Sequence, residues 1–63
     1  MNAKRKALQA LKEAGYIFRR SGGEHDIYFN PKLGTIIPIR HSFGEDDLKV
    51  ILREINQNRK EER

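Results

Sequence analysis

The sequence predicts an α+β fold with the element order α-β-β-β-α, in which both helices pack on one face of a three-stranded antiparallel sheet. Two stripes of apolar residues with helical spacing flank three short segments in which apolar and polar residues alternate. Glycine, proline and asparagine separate those segments and indicate turns. A chain of 63 residues is expected to form one domain with one core, so both helical stripes should lie on the same sheet face.

The first helix is predicted over residues 3–14, because apolar side chains recur there three and four residues apart. Gly15 is typical of a helix end. Residues 16–20 then alternate with a period of two and form the first strand, which a turn over residues 21–23 should end. The helical stripe consists of Ala7, Leu8, Ala10, Leu11 and Ala14.

The second strand is predicted over residues 26–30, with Ile27 and Phe29 on the core face. Asparagine, proline and glycine at Asn30, Pro31 and Gly34 indicate the turn that follows it. The first two strands are therefore expected to form a hairpin.

The third strand is predicted over residues 35–39, with Ile37 and Ile39 toward the core. Pro38 cannot donate a ladder hydrogen bond, so this strand should lie at an edge of the sheet. The sheet face away from the helices would then carry an apolar strip, which we expect a partner protein to cover. That strip consists of Ile17, Tyr28 and Ile36.

The second helix is predicted from residue 45 to about residue 56, with Ser42 and Gly44 as candidate N-terminal caps. Three acidic residues open it and suit the positive end of the helix dipole. Residues 58–63 are nearly all charged and are expected to fray from its end. The acidic residues are Glu45, Asp46 and Asp47, and the apolar stripe consists of Leu48, Ile51, Leu52 and Ile55.

Positive charge is concentrated in the first twenty residues. The chain has a formal net charge of +4, and those twenty residues alone carry six basic side chains against one acidic one. A one-sided positive field attracts polyanions, so nucleic acid is the first candidate partner. The basic residues are Lys4, Arg5, Lys6, Lys12, Arg19 and Arg20.

Several classes of site and location are not expected. The chain has no cysteine and only two histidines, which argues against disulfides and a structural metal site, so we expect no metal and no other cofactor. The charged N-terminus resembles neither a signal peptide nor a membrane span. We therefore expect a cytoplasmic protein without a membrane partner.

The segment around His25 combines an imidazole, two arginines and a flexible glycine pair. An imidazole titrates near neutral pH and can transfer protons, while a guanidinium can clamp a phosphate and glycine lets the backbone approach a ligand. Arg19, Arg20, Gly22 and Gly23 are therefore candidate RNA contacts. Alternation counted back from residues 27 and 29 instead places His25 on the core side, as a half-buried structural residue.

The chain resembles the HicA family of mRNA interferase toxins over nearly its whole length. The segment Gly23-x-His25-x-Ile27-Tyr28 is the most specific match. The other matching features are Lys12-Glu13-Ala14-Gly15-Tyr16, Arg20 before the turn, Ile37-Pro38 and Leu48-x-x-Ile51-Leu52-Arg53.

This resemblance implies a fold like that of double-stranded RNA-binding domains and an endoribonuclease that is the toxin of a type II toxin-antitoxin system. It implies that His25 is catalytic, that mRNA is the substrate, and that an antitoxin of the HicB type binds the toxin and can set its oligomeric state. Glu24 stands where the family usually has serine. Its carboxylate would repel phosphate and, if it lies close, modulate the protonation of His25.

Three alternatives remain open on the residues alone. His41 is a candidate for a second proton-transfer group or for an exposed residue near the second helix. A non-catalytic RNA-binding module would share the element order, although the acidic start of the second helix would repel phosphate. An inactive relative that acts through protein binding would fit the apolar strip.

Overall fold

The computed structural model describes residues 2–60, and its elements follow the predicted order. The strands form one antiparallel sheet in the order β1-β2-β3, and both helices bury their apolar stripes against one face of it. The predicted fold class is therefore confirmed. The elements are α1 (Ala3–Glu13), β1 (Ile17–Gly22), β2 (His25–Asn30), β3 (Thr35–Arg40) and α2 (Glu45–Lys60).

The core lies between the two helices and strands β2 and β3. In α1 every fourth residue is buried, and two of those three are alanines, which let the helix approach its neighbours closely. Leu52, expected in the stripe of α2, is 45% exposed instead. The buried apolar residues are Ala3, Ala7, Leu11, Tyr16, Ile37, Ile39, Leu48, Ile51 and Ile55.

Hydrogen bonds made by the side chains of Tyr16 and Asn30 stabilise one end of the core. The Tyr16 hydroxyl is 2.9 Å from Thr35 Oγ1 and accepts a hydrogen bond of 3.0 Å from the Asn58 side chain. Asn30, 2% exposed, donates to the Ala14 carbonyl at 3.0 Å, and its Oδ1 accepts two backbone N–H groups of the following turn. The prediction of fraying from residue 58 is wrong for residues 58–60, which continue α2; residues 61–63 lie outside the described chain.

The register of the sheet reverses the predicted faces of β2. Tyr28 pairs with Ile37, which is 1% exposed, and direct partners in antiparallel strands share a face. Tyr28 therefore packs against the core, whereas Ile27 and Phe29 lie on the face away from the helices, here called the open face. On that face Ile17 and Ile36 flank Phe29, so the expected apolar strip exists with Phe29 in place of Tyr28.

Strand β1 is longer than predicted and irregular. Tyr16 precedes it, and residues 21 and 22, expected in the turn, belong to it. The turn is only Gly23 and Glu24, and Gly23 has φ of +56°, a conformation that favours glycine at the first position of a type II′ hairpin turn. The pairing with β2 shifts between Phe18 and Arg20, so Arg19 is the extra residue of a β-bulge.

Strand β3 lies at an edge of the sheet, as Pro38 predicts. The His41 N–H donates to the Glu24 carbonyl at 2.9 Å, just beyond the last pair of the β2–β3 ladder. Because hydrogen-bonded and non-hydrogen-bonded pairs alternate in an antiparallel ladder, Pro38 falls in a non-hydrogen-bonded pair with Ile27. Its missing N–H would point away from the sheet, so the proline costs no ladder bond.

Helix α2 begins after Gly44, whose carbonyl accepts the Leu48 N–H at 3.1 Å. The side chain of Asp47 reaches back and accepts the Gly44 N–H at 2.9 Å, as an acidic residue does at the third position of a capping box. Of the two candidate caps, Gly44 therefore occupies the cap position.

Candidate functional site

His25 is the first residue of β2 and points to the open face of the sheet. It pairs with Gly22 on one side and Arg40 on the other, in the same alternation that places Ile27 on the open face. Its side chain is exposed, and nothing within residues 2–60 forms a hydrogen bond or ion pair with the imidazole. The alternative of a half-buried structural histidine is therefore wrong, because it depended on the reversed face of β2.

Gly22 makes room for an arginine beside His25. A Cβ atom placed on Gly22 would lie 3.1 Å from Nη1 of Arg20, so the guanidinium occupies space that a side chain at this position would fill. Arg20 pairs with Ile27 and so belongs to the open face as well. The structure thus brings together three of the sequence-predicted site residues. The imidazole of His25 lies across the β1–β2 pair from Gly22, and the guanidinium of Arg20 lies beside Gly22 on β1.

A cavity of about 170 Å³ adjoins His25 on its other side, between β3 and α2. Arg40 and two carboxylates, Asp47 and Glu54, line it. Arg40 Nη1 lies 3.3 Å from Asp47 Oδ1, whereas the carboxylate of Glu54 has no hydrogen bond or ion pair within the described chain. The sequence did not identify Arg40 or Glu54, because the pairing of β3 with β2 brings Arg40 beside His25 and the packing of α2 along the β3 edge brings Glu54 there.

His41 lies at the same end of the sheet but on the helix side. Its Nε2 is 3.0 Å from Oδ1 of Asp26, and the Ser21 hydroxyl donates to the same oxygen at 2.9 Å. Asp26 pairs with the buried Ile39, which places this cluster on the face opposite to His25. The two histidines therefore do not share one site, and His41 is part of a polar clip that joins the ends of all three strands.

The clip makes Asp26 a stronger acid than usual. The hydrogen bond from His41 is the main cause that holds the pKa of Asp26 below its ordinary value of 3.8, followed by the hydrogen bond from Ser21. The positive charge of Lys4 acts in the same direction.

The bulge gives Arg19 a place on the open face. Its guanidinium carbon lies 5.0 Å from the centre of the Phe29 ring, within the range of a cation–π contact. In a regular strand, neighbouring residues point to opposite faces. With the bulge, both Arg19 and Arg20 reach the face that carries His25.

The remaining predicted RNA contacts lie elsewhere. Arg5, Lys6 and Lys12 are exposed on α1, in the layer on the other side of the sheet from His25. Glu24 is exposed in the hairpin turn, and its carboxylate forms no hydrogen bond or ion pair within residues 2–60. The predicted positive surface is therefore divided between two layers of the molecule, and only the β1 arginines share the face that carries His25.

Within residues 2–60, no three histidine, aspartate or glutamate side chains are grouped as metal ligands would be. No helix of that part of the chain is long and apolar enough to span a bilayer. Comparisons of the chain with family models, with curated proteins and with solved structures gave no match.

Proposed function

We propose that this protein is a HicA-like endoribonuclease that cleaves mRNA in the cytoplasm without a metal ion. The observation that carries the proposal is the exposed, unpartnered imidazole of His25, set between Arg20 and Arg40 on one sheet face. An imidazole free of protein partners can exchange a proton with a substrate, and the guanidinium of Arg20, which has no ion pair within residues 2–60, can hold the phosphate at which it acts.

The proposed reaction is a transesterification within the RNA. A base removes the proton of a 2′-hydroxyl, the 2′-oxygen attacks the adjacent phosphorus, and the bond to the 5′-oxygen breaks as an acid protonates that oxygen. The products are a 2′,3′-cyclic phosphate and a 5′-hydroxyl, so no water or other reactant is consumed. His25 supplies one proton transfer, and Arg20 stabilises the charge that develops on the non-bridging phosphate oxygens.

Glu54 is the candidate for the second proton-transfer group. It lines the same cavity as His25, and it is the carboxylate there that no cation of the described chain engages. The charges around His25 also suggest a direction of approach. Carboxylates lie on the α2 side and arginines on the β1 side, so the RNA strand would reach His25 across β1.

The test is cleavage of single-stranded RNA by purified protein in the presence of a metal chelator. We expect His25→Ala to lower the cleavage rate by about 100-fold or more. His41→Ala is the matched control, because it removes the other histidine, at the same end of the sheet but on the opposite face. It should leave the rate within a few-fold of the wild type if both variants fold, as circular dichroism would show.

The products and the substrate give two further checks. Fragments should end in a 2′,3′-cyclic phosphate, and a single 2′-deoxynucleotide at a cleaved position should block cleavage there. If His41→Ala abolishes cleavage while His25→Ala retains it, the assignment of the site is wrong. If neither the folded wild type nor its expression in cells affects RNA, the enzymatic proposal itself fails.

A protein-binding role is the second candidate, and one observation favours it. Ile17 and Ile36 are 56% and 53% exposed on the open face, beside the proposed site. An antitoxin of the HicB type that covers this apolar strip would also cover His25. To test it, the product of the neighbouring reading frame would be co-expressed with either the wild-type protein or the Ile17→Ser variant, and co-purification of the two proteins would be compared. Loss of the complex in the variant alone is the expected result.

A further inference from the structure

Two adjacent features of the open face are not used by the proposed cleavage reaction. They are the β-bulge at Arg19 and the phenylalanine beneath it, Phe29. Bulges often redirect a side chain near a functional site. This one places the guanidinium of Arg19 over the Phe29 ring rather than toward the helix layer, so the two side chains lie together on the open face.

The outer side of the Arg19 guanidinium is available to a ligand. Arg19 is exposed, and its guanidinium carbon lies 5.0 Å from the centre of the Phe29 ring. Nucleobases stack on aromatic rings and on planar guanidinium groups in single-stranded RNA complexes. A guanidinium already held against a ring loses less conformational freedom when a base stacks on its free side.

The charge of the open face favours a polyanion. The residues that the three strands direct to this face include no carboxylate. Arg19 and Arg20 have no ion pair within residues 2–60, whereas Arg40 is paired with Asp47 of α2. The apolar residues between them match the faces of unstacked bases rather than the sugar-phosphate surface of a duplex. Single-stranded RNA combines both properties, a charged backbone and exposed apolar bases.

We propose that Arg19, supported by Phe29, is a base-stacking subsite for the single-stranded RNA that the protein cleaves. The inference rests on the proposed function and adds the place where the substrate is held. Phe29 lies four residues from His25 along β2, which corresponds to about 13 Å. Stacked bases lie about 3.4 Å apart, so the held base is about four nucleotides from the cleaved bond if the intervening bases stack.

The test measures binding rather than cleavage. All proteins carry His25→Ala, and the probe is a short fluorescein-labelled single-stranded RNA, followed by fluorescence anisotropy. Arg19→Lys keeps the charge but removes the flat guanidinium, so we expect the Kd to rise roughly fivefold or more. Arg5→Lys is the matched control on the exposed side of α1, and it should leave the Kd unchanged.

A series of RNAs with one abasic site each identifies the stacked base. In the protein that keeps Arg19, an abasic site at one position of the RNA should weaken binding roughly fivefold or more. In Arg19→Lys, an abasic site at that same position should have no further effect. Phe29→Leu should also weaken binding, whereas Phe18→Leu, which removes the exposed phenylalanine on the helix side of β1, should not.

The outcomes separate this inference from the proposed function. Equal affinities for Arg19→Lys and Arg5→Lys, or abasic effects that persist unchanged in Arg19→Lys, would overturn the stacking subsite while His25-dependent cleavage still stands. A loss of affinity only when Arg5 and Lys12 are replaced by glutamine would place the RNA on the helix layer and leave the open face to a protein partner. Stacking without any His25-dependent cleavage would leave a binding protein instead of an enzyme.

Discussion

The sequence pattern indicates only that Asp26 lies in a strand, yet its carboxylate connects all three strands. It accepts hydrogen bonds from Ser21 in β1 and from His41 just after β3, while its own backbone lies in β2. No spacing rule could identify this clip, because the three residues meet only through the pairing of separate strands. The clip also favours the register in which Tyr28 faces the core. Asp26 lies on that same face two residues earlier in β2, and there its carboxylate finds polar partners.

This clip should make the folding stability depend on pH in the acid range. The pKa of Asp26 in the folded chain lies below its ordinary value of 3.8, so the unfolded chain binds this proton more readily. The stabilisation is therefore present above pH 3.8 and is lost as the pH falls through the folded-state pKa. Urea unfolding at a series of pH values should show a smaller loss toward low pH in Asp26→Asn than in the wild type.

The control for this measurement is Glu24→Gln, at an exposed position in the hairpin turn, where the carboxylate has no hydrogen bond or ion pair within residues 2–60. Its pH dependence should follow that of the wild type. Identical curves for the wild type and Asp26→Asn would show that the hydrogen bonds from His41 and Ser21 do not stabilise the fold.

At the scale of elements, the helices and strands could largely be predicted, because each depends on a local pattern. The stripes of α1 and α2, the edge position of β3 and the inward Ile37 and Ile39 all follow from spacing or from proline. The bulge at Arg19 could not be predicted, since it is a property of how β1 pairs with β2. The length of α2 was underestimated because Asn58 is fixed by Tyr16, a contact 42 residues away in sequence.

The start of α2 gives a prediction at this scale. Asp47→Ala removes the acceptor of the Gly44 N–H, whereas Asp46→Ala removes an acidic residue of the same turn that has no such bond. Both lose one favourable charge at the helix N-terminus, so their difference isolates the capping bond and the ion pair with Arg40. We expect Asp47→Ala to be less stable than Asp46→Ala by about 1 kcal/mol. This corresponds to a Tm lower by about 4 to 8 °C.

Thermal unfolding by circular dichroism measures this difference directly. Asp47→Asn keeps a side-chain oxygen that can accept the Gly44 N–H, so it should recover part of the loss. Equal melting temperatures for Asp46→Ala and Asp47→Ala would contradict a stabilising cap.

At the scale of the whole molecule, the positive charge that the sequence places in one third of the chain divides between two surfaces. The cations of α1 lie in the helix layer, and the β1 arginines lie on the open face with His25. Composition alone could not reveal this division, because Arg19 and Arg20 are next to each other in sequence and depend on the bulge for their common face. The resemblance predicts that His25 is catalytic, but the register of the strands determines which cations lie on the same face as His25.

This division predicts the salt dependence of RNA binding. If only Arg19, Arg20 and Arg40 meet the phosphates, log Kd plotted against log salt should have a slope of about 2, or a loss of roughly 20-fold between 50 and 200 mM salt. Participation of the four α1 cations would raise the slope to about 5. Anisotropy titrations with the His25→Ala protein at several salt concentrations would distinguish the two, and a flat response would exclude both surfaces.

The order in which the chain leaves the ribosome has a consequence for the surface around His25. Its parts come from the end of β1, the start of β2 and the end of β3, so the surface requires residues from 20 to 40. While β3 is still inside the exit tunnel, only the first hairpin is available, and an isolated hairpin is at best marginally stable. A nascent chain thus completes this surface only after β3 has left the tunnel, because Arg40 takes its place beside His25 through the pairing of β3 with β2.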